Sequence, residues 1–358
     1  MKKDLGLYLH VPFCVKKCDY CDFLSKEAAE EEKEAYVDAL IKEIKSYKKF
    51  AGNYKVSTVF VGGGTPSCLR AEQTKRIFDA LYEIFEFVKH PEITTEMNPG
   101  TVDREKLEVY KACGINRLSI GMQSVKDENL KVLGRIHNFE QLLEAYQLAR
   151  EAGFTNINLD LMSSLPSQTK EEWEEELQKT VELNPEHISA YQLIIEEGTP
   201  FYEKYDAHPE LLPNEEESRA IYQTTKRILE ANGYMQYEIS NYAKAGCECR
   251  HNEGYWQRKD YLGLGLGAAS LLGKERFSNT SDMQEYLKNS SAPEKIRKNR
   301  ELLTREDEMA EFMFLGLRMT QGVSKKEFQE YFGTAIENIY GEVLKKYKKQ
   351  GLLLEESG

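Results

Sequence analysis

Three cysteines spaced C-x-x-x-C-x-x-C (Cys14, Cys18, Cys21) follow closely on a short apolar run, Leu5–Pro12. Thiolates are the soft ligands of iron–sulfur clusters, and a four-iron cluster normally takes four of them. Three on one small loop can hold three corners of a cubane and leave one iron open to a small-molecule ligand. A closed zinc site would need four ligands, usually with a second C-x-x-C pair. His10 is the nearest candidate for a fourth. However, Leu7, Leu9 and Val11 alternate with Tyr8 and His10 as in a strand, so the apolar set faces helices and the Tyr/His set faces a lumen. A disulfide does not suit a chain whose start, Met1-Lys2-Lys3-Asp4, leads straight into a strand without a secretory signal.

Further polar residues sit where successive apolar runs end. The second run closes on Gly62-Gly63-Gly64-Thr65-Pro66-Ser67, whose bare backbone lets a ligand approach closely. No Gly-Lys-Ser/Thr follows, which excludes a phosphate-cradling P-loop. Glu96, Gln123 and Asp160 end the next runs, and Arg135 follows in Leu133-Gly134-Arg135-Ile136-His137. Carboxylates suit ribose hydroxyls and amines, and arginine suits a carboxylate.

The elements that must position these residues alternate regularly. Runs at Leu5–Pro12, Ser57–Gly62, Ile93–Met97, Arg117–Gln123, Asn156–Met162 and His187–Ile194 read as strands. Helical patterns cover 26–50, 71–89, 103–113, 126–152, 170–183 and 214–232. Thr169-Lys170-Glu171-Glu172 has a capping-box pattern, and Gly114 and Gly153 stop helices. Such alternation implies parallel strands with right-handed crossovers. A doubly wound sheet satisfies the pattern too, but polar residues at every strand end fit an α/β fold of six units better, an open (β/α)6 partial TIM barrel with its site at the C-terminal rim. The barrel is expected over 1–235, an extension over 236–300 with the run Leu262-Gly263-Leu264-Gly265-Leu266-Gly267, and a small winged-helix-like module over 301–358. That module reads as three helices and a strand at Leu352–Leu354, with no returning strand before Gly358.

The stretch from Tyr8 to Phe23 resembles the signature of the radical S-adenosylmethionine (SAM) family, and the motifs together resemble its oxygen-independent coproporphyrinogen III oxidase branch along essentially the whole chain. The resemblance implies a 4Fe–4S cluster on Cys14, Cys18 and Cys21 with SAM on its open iron. It implies SAM contacts from Tyr8, Tyr20, Gly64, Thr65, Glu96, Gln123, Arg135 and Asp160, with Ile194 and Ala269 at the margin. Ser164 departs from the pattern, standing where the family usually has glycine before Leu165-Pro166.

The branch contains decarboxylases and heme chaperones. The decarboxylases carry a further cysteine where this chain has Phe23, and a long segment ahead of strand one, where this chain has 13 residues before Cys14. His251-Asn252-Glu253-Gly254-Tyr255-Trp256 is similar to the H-N-x-x-Y-W motif of the chaperones. The resemblance implies heme as a third cofactor, with His251 as axial ligand to its iron and Tyr255 and Trp256 as flat contacts to the porphyrin. The function implied is to bind heme and transfer it to acceptor proteins. Oxidative decarboxylation of coproporphyrinogen III is the enzymatic alternative, and a SAM-binding scaffold without heme is a third. Cys247 and Cys249 lie outside the motif and read as ordinary thiols, and Cys68 and Cys113 as small buried hydrophobes.

Composition agrees with a folded protein: 41% hydrophobic and 30% charged residues over 358 positions. The net charge of −12 argues against a nucleic-acid partner. Seven cysteines, three at cluster spacing, fit a reducing cytoplasm. No stretch is long and apolar enough to span a bilayer, which leaves peripheral membrane contact and a homodimer open.

Overall fold

The computed structural model describes residues 2–356. Six strands, β1 (Lys3–Val11), β2 (Tyr54–Gly63), β3 (Phe87–Met97), β4 (Arg117–Gln123), β5 (Ile157–Ser163) and β6 (His187–Gln192), pair in parallel in chain order. Unbroken sequential order is what a barrel requires, whereas a doubly wound sheet reverses direction at a switch point. Crossover helices at Glu30–Ser46, Ala71–Ile84, Arg104–Ala112, Phe139–Glu151 and Lys170–Glu182 cover the outer face. The alternation in β1 settles as expected. Leu5, Leu7, Leu9 and Val11 have no exposed surface and belong to the main core, while Tyr8 and His10 take the lumen side.

Local chemistry sets the helix ends. The Thr169–Glu172 capping box is formed, and Asn138 with Gln141 makes another. That second box divides the helix expected over 126–152 into Asp127–Val132 and Phe139–Glu151, with Gly134 at φ +72° in the break. Arg135 therefore lies on a loop, free to reach the rim. The helix expected over 71–89 ends at Ile84, because Phe87 pairs beside Val56 and begins β3.

The segment after 235 builds on both edges of this sheet. β7 (Met235–Gln236) and β8 (Asn241–Ala243) add antiparallel strands beside β6. β9 (Tyr261–Leu264), drawn from the glycine-rich run, pairs parallel to β1, and β10 (Ala269–Leu272), β11 (Glu275–Asn279) and β12 (Arg297–Leu302) continue outward as an antiparallel meander. The result is a 12-stranded sheet ordered β12-β11-β10-β9-β1-β2-β3-β4-β5-β6-β8-β7. The last helices, Arg305–Gly316, Lys325–Phe332 and Ile336–Lys349, share a small core of Met309, Phe328, Phe332 and Ile336. The strand expected at Leu352–Leu354 is absent; Leu352 and Leu354 are mostly exposed, and no strand among the described residues pairs with the segment. No described helix is long and apolar enough to cross a membrane.

Candidate cofactor site

The cysteine loop is pinned at both ends to the barrel. Phe13 anchors it in the core, the Cys14 N–H donates to Lys26 O at 2.9 Å, and the Lys26 N–H donates to Pro12 O at 3.0 Å. His10 holds the far side, with Nε2 2.8 Å from Leu24 O, while its Nδ1 lies 3.0 Å from the Tyr8 hydroxyl. Both imidazole nitrogens are engaged, so His10 is no fourth ligand. All three cysteines are free thiols that line one cavity of about 350 Å³.

A relay of hydrogen bonds joins two of the thiols. Thr65 Oγ1 donates to Cys14 Sγ at 3.5 Å and accepts from Asn98 Nδ2 at 2.9 Å. Asn98 Oδ1 accepts from Arg135 Nη2 at 2.8 Å, and Arg135 Nη1 donates to Cys18 Sγ at 3.6 Å. Donors aimed at sulfur favour the thiolate that a metal cluster needs. Burial, by contrast, pushes the Cys21 thiol up. Gly64 is required by close approach, since a Cβ there would stand 2.6 Å from Phe13 O. Asn98, the centre of the relay, was not singled out from sequence; Asn98-Pro99-Gly100, just after the end of β3, reads first as a turn.

Of the residues implied as SAM contacts, Tyr20, Gly64, Thr65, Glu96, Gln123, Arg135, Asp160 and Ile194 all line this cavity. Tyr8 and Ala269 do not; Tyr8 bonds to His10 and Ala269 is exposed on β10. Glu96 accepts from the Gly63 N–H at 3.2 Å. Burial, and then the charge of Asp160, pushes its carboxyl up to about 8. Asp160 is raised by burial as well, although Ser119 Oγ and Asn158 Nδ2 donate to it at 3.0 and 2.8 Å. Gln123 ends β4 at φ +66°, a strained conformation for a residue with a side chain and a common companion of binding sites. Ser164 has φ +58° and a buried hydroxyl without a partner, which explains why glycine suits that position.

The H-N-x-x-Y-W segment departs from its expected role. It forms the helix Arg250–Trp256, whose first N–H groups are held by Glu92 of β3: Arg250 N donates to Oε2 and His251 N to Oε1, each at 3.0 Å. His251 is 3% exposed, its Nδ1 2.8 Å from Thr58 Oγ1 and its Nε2 2.8 Å from the Tyr255 hydroxyl. Burial lowers its pKa to about 3, so the ring stays neutral. With Nδ1 on Thr58 and Nε2 on Tyr255, the ring would have to give up one of these bonds to ligate heme iron. Tyr255 packs edge-on against His251 and Tyr261, and the Arg318 guanidinium covers a face of Trp256 at 4.4 Å, so neither ring is an open porphyrin platform. Cys249 is no substitute: it is fully buried, its thiol is 3.7 Å from Glu92 Oε1, and burial pushes it up to about 12. Asn252 alone of the motif reaches the large cavity.

Three free thiols at the mouth of a six-stranded parallel barrel, with carboxylates at the strand ends, define the radical SAM architecture. Residues 8–180 match the radical SAM superfamily, and residues 303–358 match the HemN C-terminal domain. The chain is 37% identical to the heme chaperone HemW of Bacillus subtilis, covering 97% of this chain and 92% of that one. It is also 37% identical to HemW of Escherichia coli, covering 98% and 92%. Among solved structures, the coproporphyrinogen III oxidase HemN of Escherichia coli, a radical SAM enzyme, superposes with a TM-score of 0.85 at 26% identity, covering 99% of this chain and 85% of that one. The chain belongs to the radical SAM superfamily, in the coproporphyrinogen III oxidase-like branch that includes the HemW proteins. Membership implies a 4Fe–4S cluster and SAM, and the free thiols with their sulfur-directed donors fit such a group.

Proposed function

We propose that this protein is a heme chaperone that binds heme and passes it to acceptor proteins, carrying a 4Fe–4S cluster on Cys14, Cys18 and Cys21 with SAM at the open iron. The observation that carries this reading is the near full-length similarity to proteins named HemW, at 37% identity over 97% of the chain. When bound, the cluster supplies an iron to which the amino and carboxylate groups of SAM attach. Glu96, Asp160 and Gln123 would hold the amine and ribose hydroxyls of SAM, Gly63-Gly64-Thr65 would hold its methionyl part, and Arg135 would neutralise charge beside Cys18. The structure's closeness to HemN favours one second reading, oxidative decarboxylation of coproporphyrinogen III. Phe23, 61% exposed at the cavity where the decarboxylases carry a further cysteine, speaks against it.

The test is a heme titration of anaerobically reconstituted protein beside a coproporphyrinogen assay under reducing conditions with SAM. Saturable heme binding, transfer to an apo heme protein and no protoporphyrinogen are expected. Turnover of coproporphyrinogen III without heme binding would reverse the assignment.

A further inference from the structure

Arg117, the first residue of β4, is the one Lys or Arg among the described residues with its surface almost wholly removed from water, at 2% exposed. Among those residues no hydrogen bond or ion pair reaches its guanidinium, and its Nε is sealed off without a partner. The carboxylates around it are committed elsewhere. Glu92 receives the N–H groups of Arg250 and His251, and Asp160 receives Ser119 and Asn158. Thr94, its register partner on β3, lies on the same side of its strand as Glu96 and is also fully buried with an unpartnered Oγ1, behind the residues that border the cavity. Glu92 and Asp160 balance the charge of the guanidinium without bonding to it, so what is missing is a hydrogen-bond acceptor: buried N–H donors and a buried hydroxyl left without partners are costly until a ligand supplies one.

The guanidinium lines the same cavity as the cysteines, but at its deep end. From Arg117 to Gln123 at the rim, β4 rises about 20 Å at ~3.3 Å per residue. A SAM carboxylate held at a rim cluster, near Arg135, does not extend to Arg117. Below the rim the cavity is walled by the short polar side chains of Ser119, Asn158 and Ser189 beside Arg117, which suits a compact acid rather than the broad apolar face of a tetrapyrrole.

We propose that Arg117, backed by Thr94, forms the receptor for the carboxylate of a second, compact organic-acid ligand that occupies the lumen beneath SAM. The proposal rests on reading the rim as the SAM site. Asn252 borders the same lumen, so the H-N-x-x-Y-W helix serves as the floor of this pocket.

The test uses reconstituted, SAM-loaded protein titrated with sodium acetate and sodium pyruvate against sodium chloride at matched ionic strength, read by thermal unfolding. The wild type should show a saturable rise in Tm with at least one of the two acids. In Arg117→Met the apparent Kd should rise by about tenfold or more, the loss expected for a charge-assisted pair. Arg117→Lys and the isosteric Thr94→Val should weaken the response severalfold without abolishing it, and they keep the test decisive if the methionine variant does not fold. SAM binding, followed by its perturbation of the reduced cluster's EPR signal, should change less than twofold in these variants. No response of the wild type to either acid, or an equal response of the variants, overturns the proposal. A large loss of SAM affinity would assign Arg117 to SAM and overturn it as well. Absence of the SAM perturbation in the wild type would instead sink the rim reading.

Discussion

Replacing Glu96 by glutamine should stabilise the ligand-free protein while weakening SAM binding. The Glu96 carboxyl, ordinarily at 4.5, is pushed up to about 8 by burial and by Asp160. The folded protein therefore prefers it protonated, and the unfolded chain prefers it ionised above about pH 4.5. A raised folded-state pKa contributes stability that is complete below the unfolded value and is lost as pH rises through the folded one. The window is accordingly about pH 4.5 to 8. The difference of 8 − 4.5, taken at ~1.36 kcal/mol per unit, sets a ceiling of about 5 kcal/mol. Glu96 borders a cavity wide enough for water, which screens part of this, so about 2 kcal/mol is the expected loss across the window. Glutamine can still accept from the Gly63 N–H but has nothing to ionise. Urea unfolding of cluster-free wild type and Glu96→Gln at several pH values measures the difference. Glu43, pushed up to about 7 by burial, slopes in the same direction in both proteins and cancels. Equal pH slopes for the two proteins would refute the reasoning, and unimpaired SAM binding by the variant would remove Glu96 from the SAM site.

Cys14→Ala, Cys18→Ala or Cys21→Ala should each abolish the iron–sulfur chromophore, whereas Cys113→Ala, at a buried thiol outside the cavity, should leave iron content unchanged. Thr65→Val removes the hydroxyl that donates to Cys14 Sγ and should lower the cluster's midpoint potential, because hydrogen bonds to ligating sulfur stabilise the reduced state; an unshifted potential would mean that this bond does not form in the holoprotein. Ser164→Gly should raise stability by about 1 kcal/mol in denaturant melts, by relieving a left-handed residue and deleting a stranded hydroxyl. His251→Ala should cost about 3 kcal/mol of folding stability, leaving Thr58 and Tyr255 unpaired in a new cavity, while the heme Soret band keeps its position. A lost or moved Soret band with unchanged stability would restore the axial-ligand role.

Much of the rim was readable because its residues follow local rules. The cysteine spacing, the period of two in β1 and the polar residue closing each strand are properties of short segments, and the barrel follows from their repetition. What escaped depends on partners far along the chain. The motif names His251 but not its direction, which Thr58, 193 positions away, decides. The helical period from 126 to 152 conceals a break that the Asn138–Gln141 capping box enforces. Arg117 looks from sequence like any charged residue opening a strand, and its isolation emerges only when Glu92 and Asp160 are seen to be spent on other donors.

The two edges of the six-stranded sheet depend on residues made late. β6 is covered by β8 only once position 243 has emerged, and β1, at the very start of the chain, waits for β9 at 261–264. Until then a nascent chain carries its cysteine loop beside an unpaired strand edge, the kind of surface on which chains recruit one another. Synthesis thus opens an interval in which the thiols are accessible to iron and sulfide delivery and the sheet is open to misassembly. A ribosome stalled near position 260 would hold the chain in that interval, and release there would yield a fragment prone to aggregate rather than a smaller working barrel.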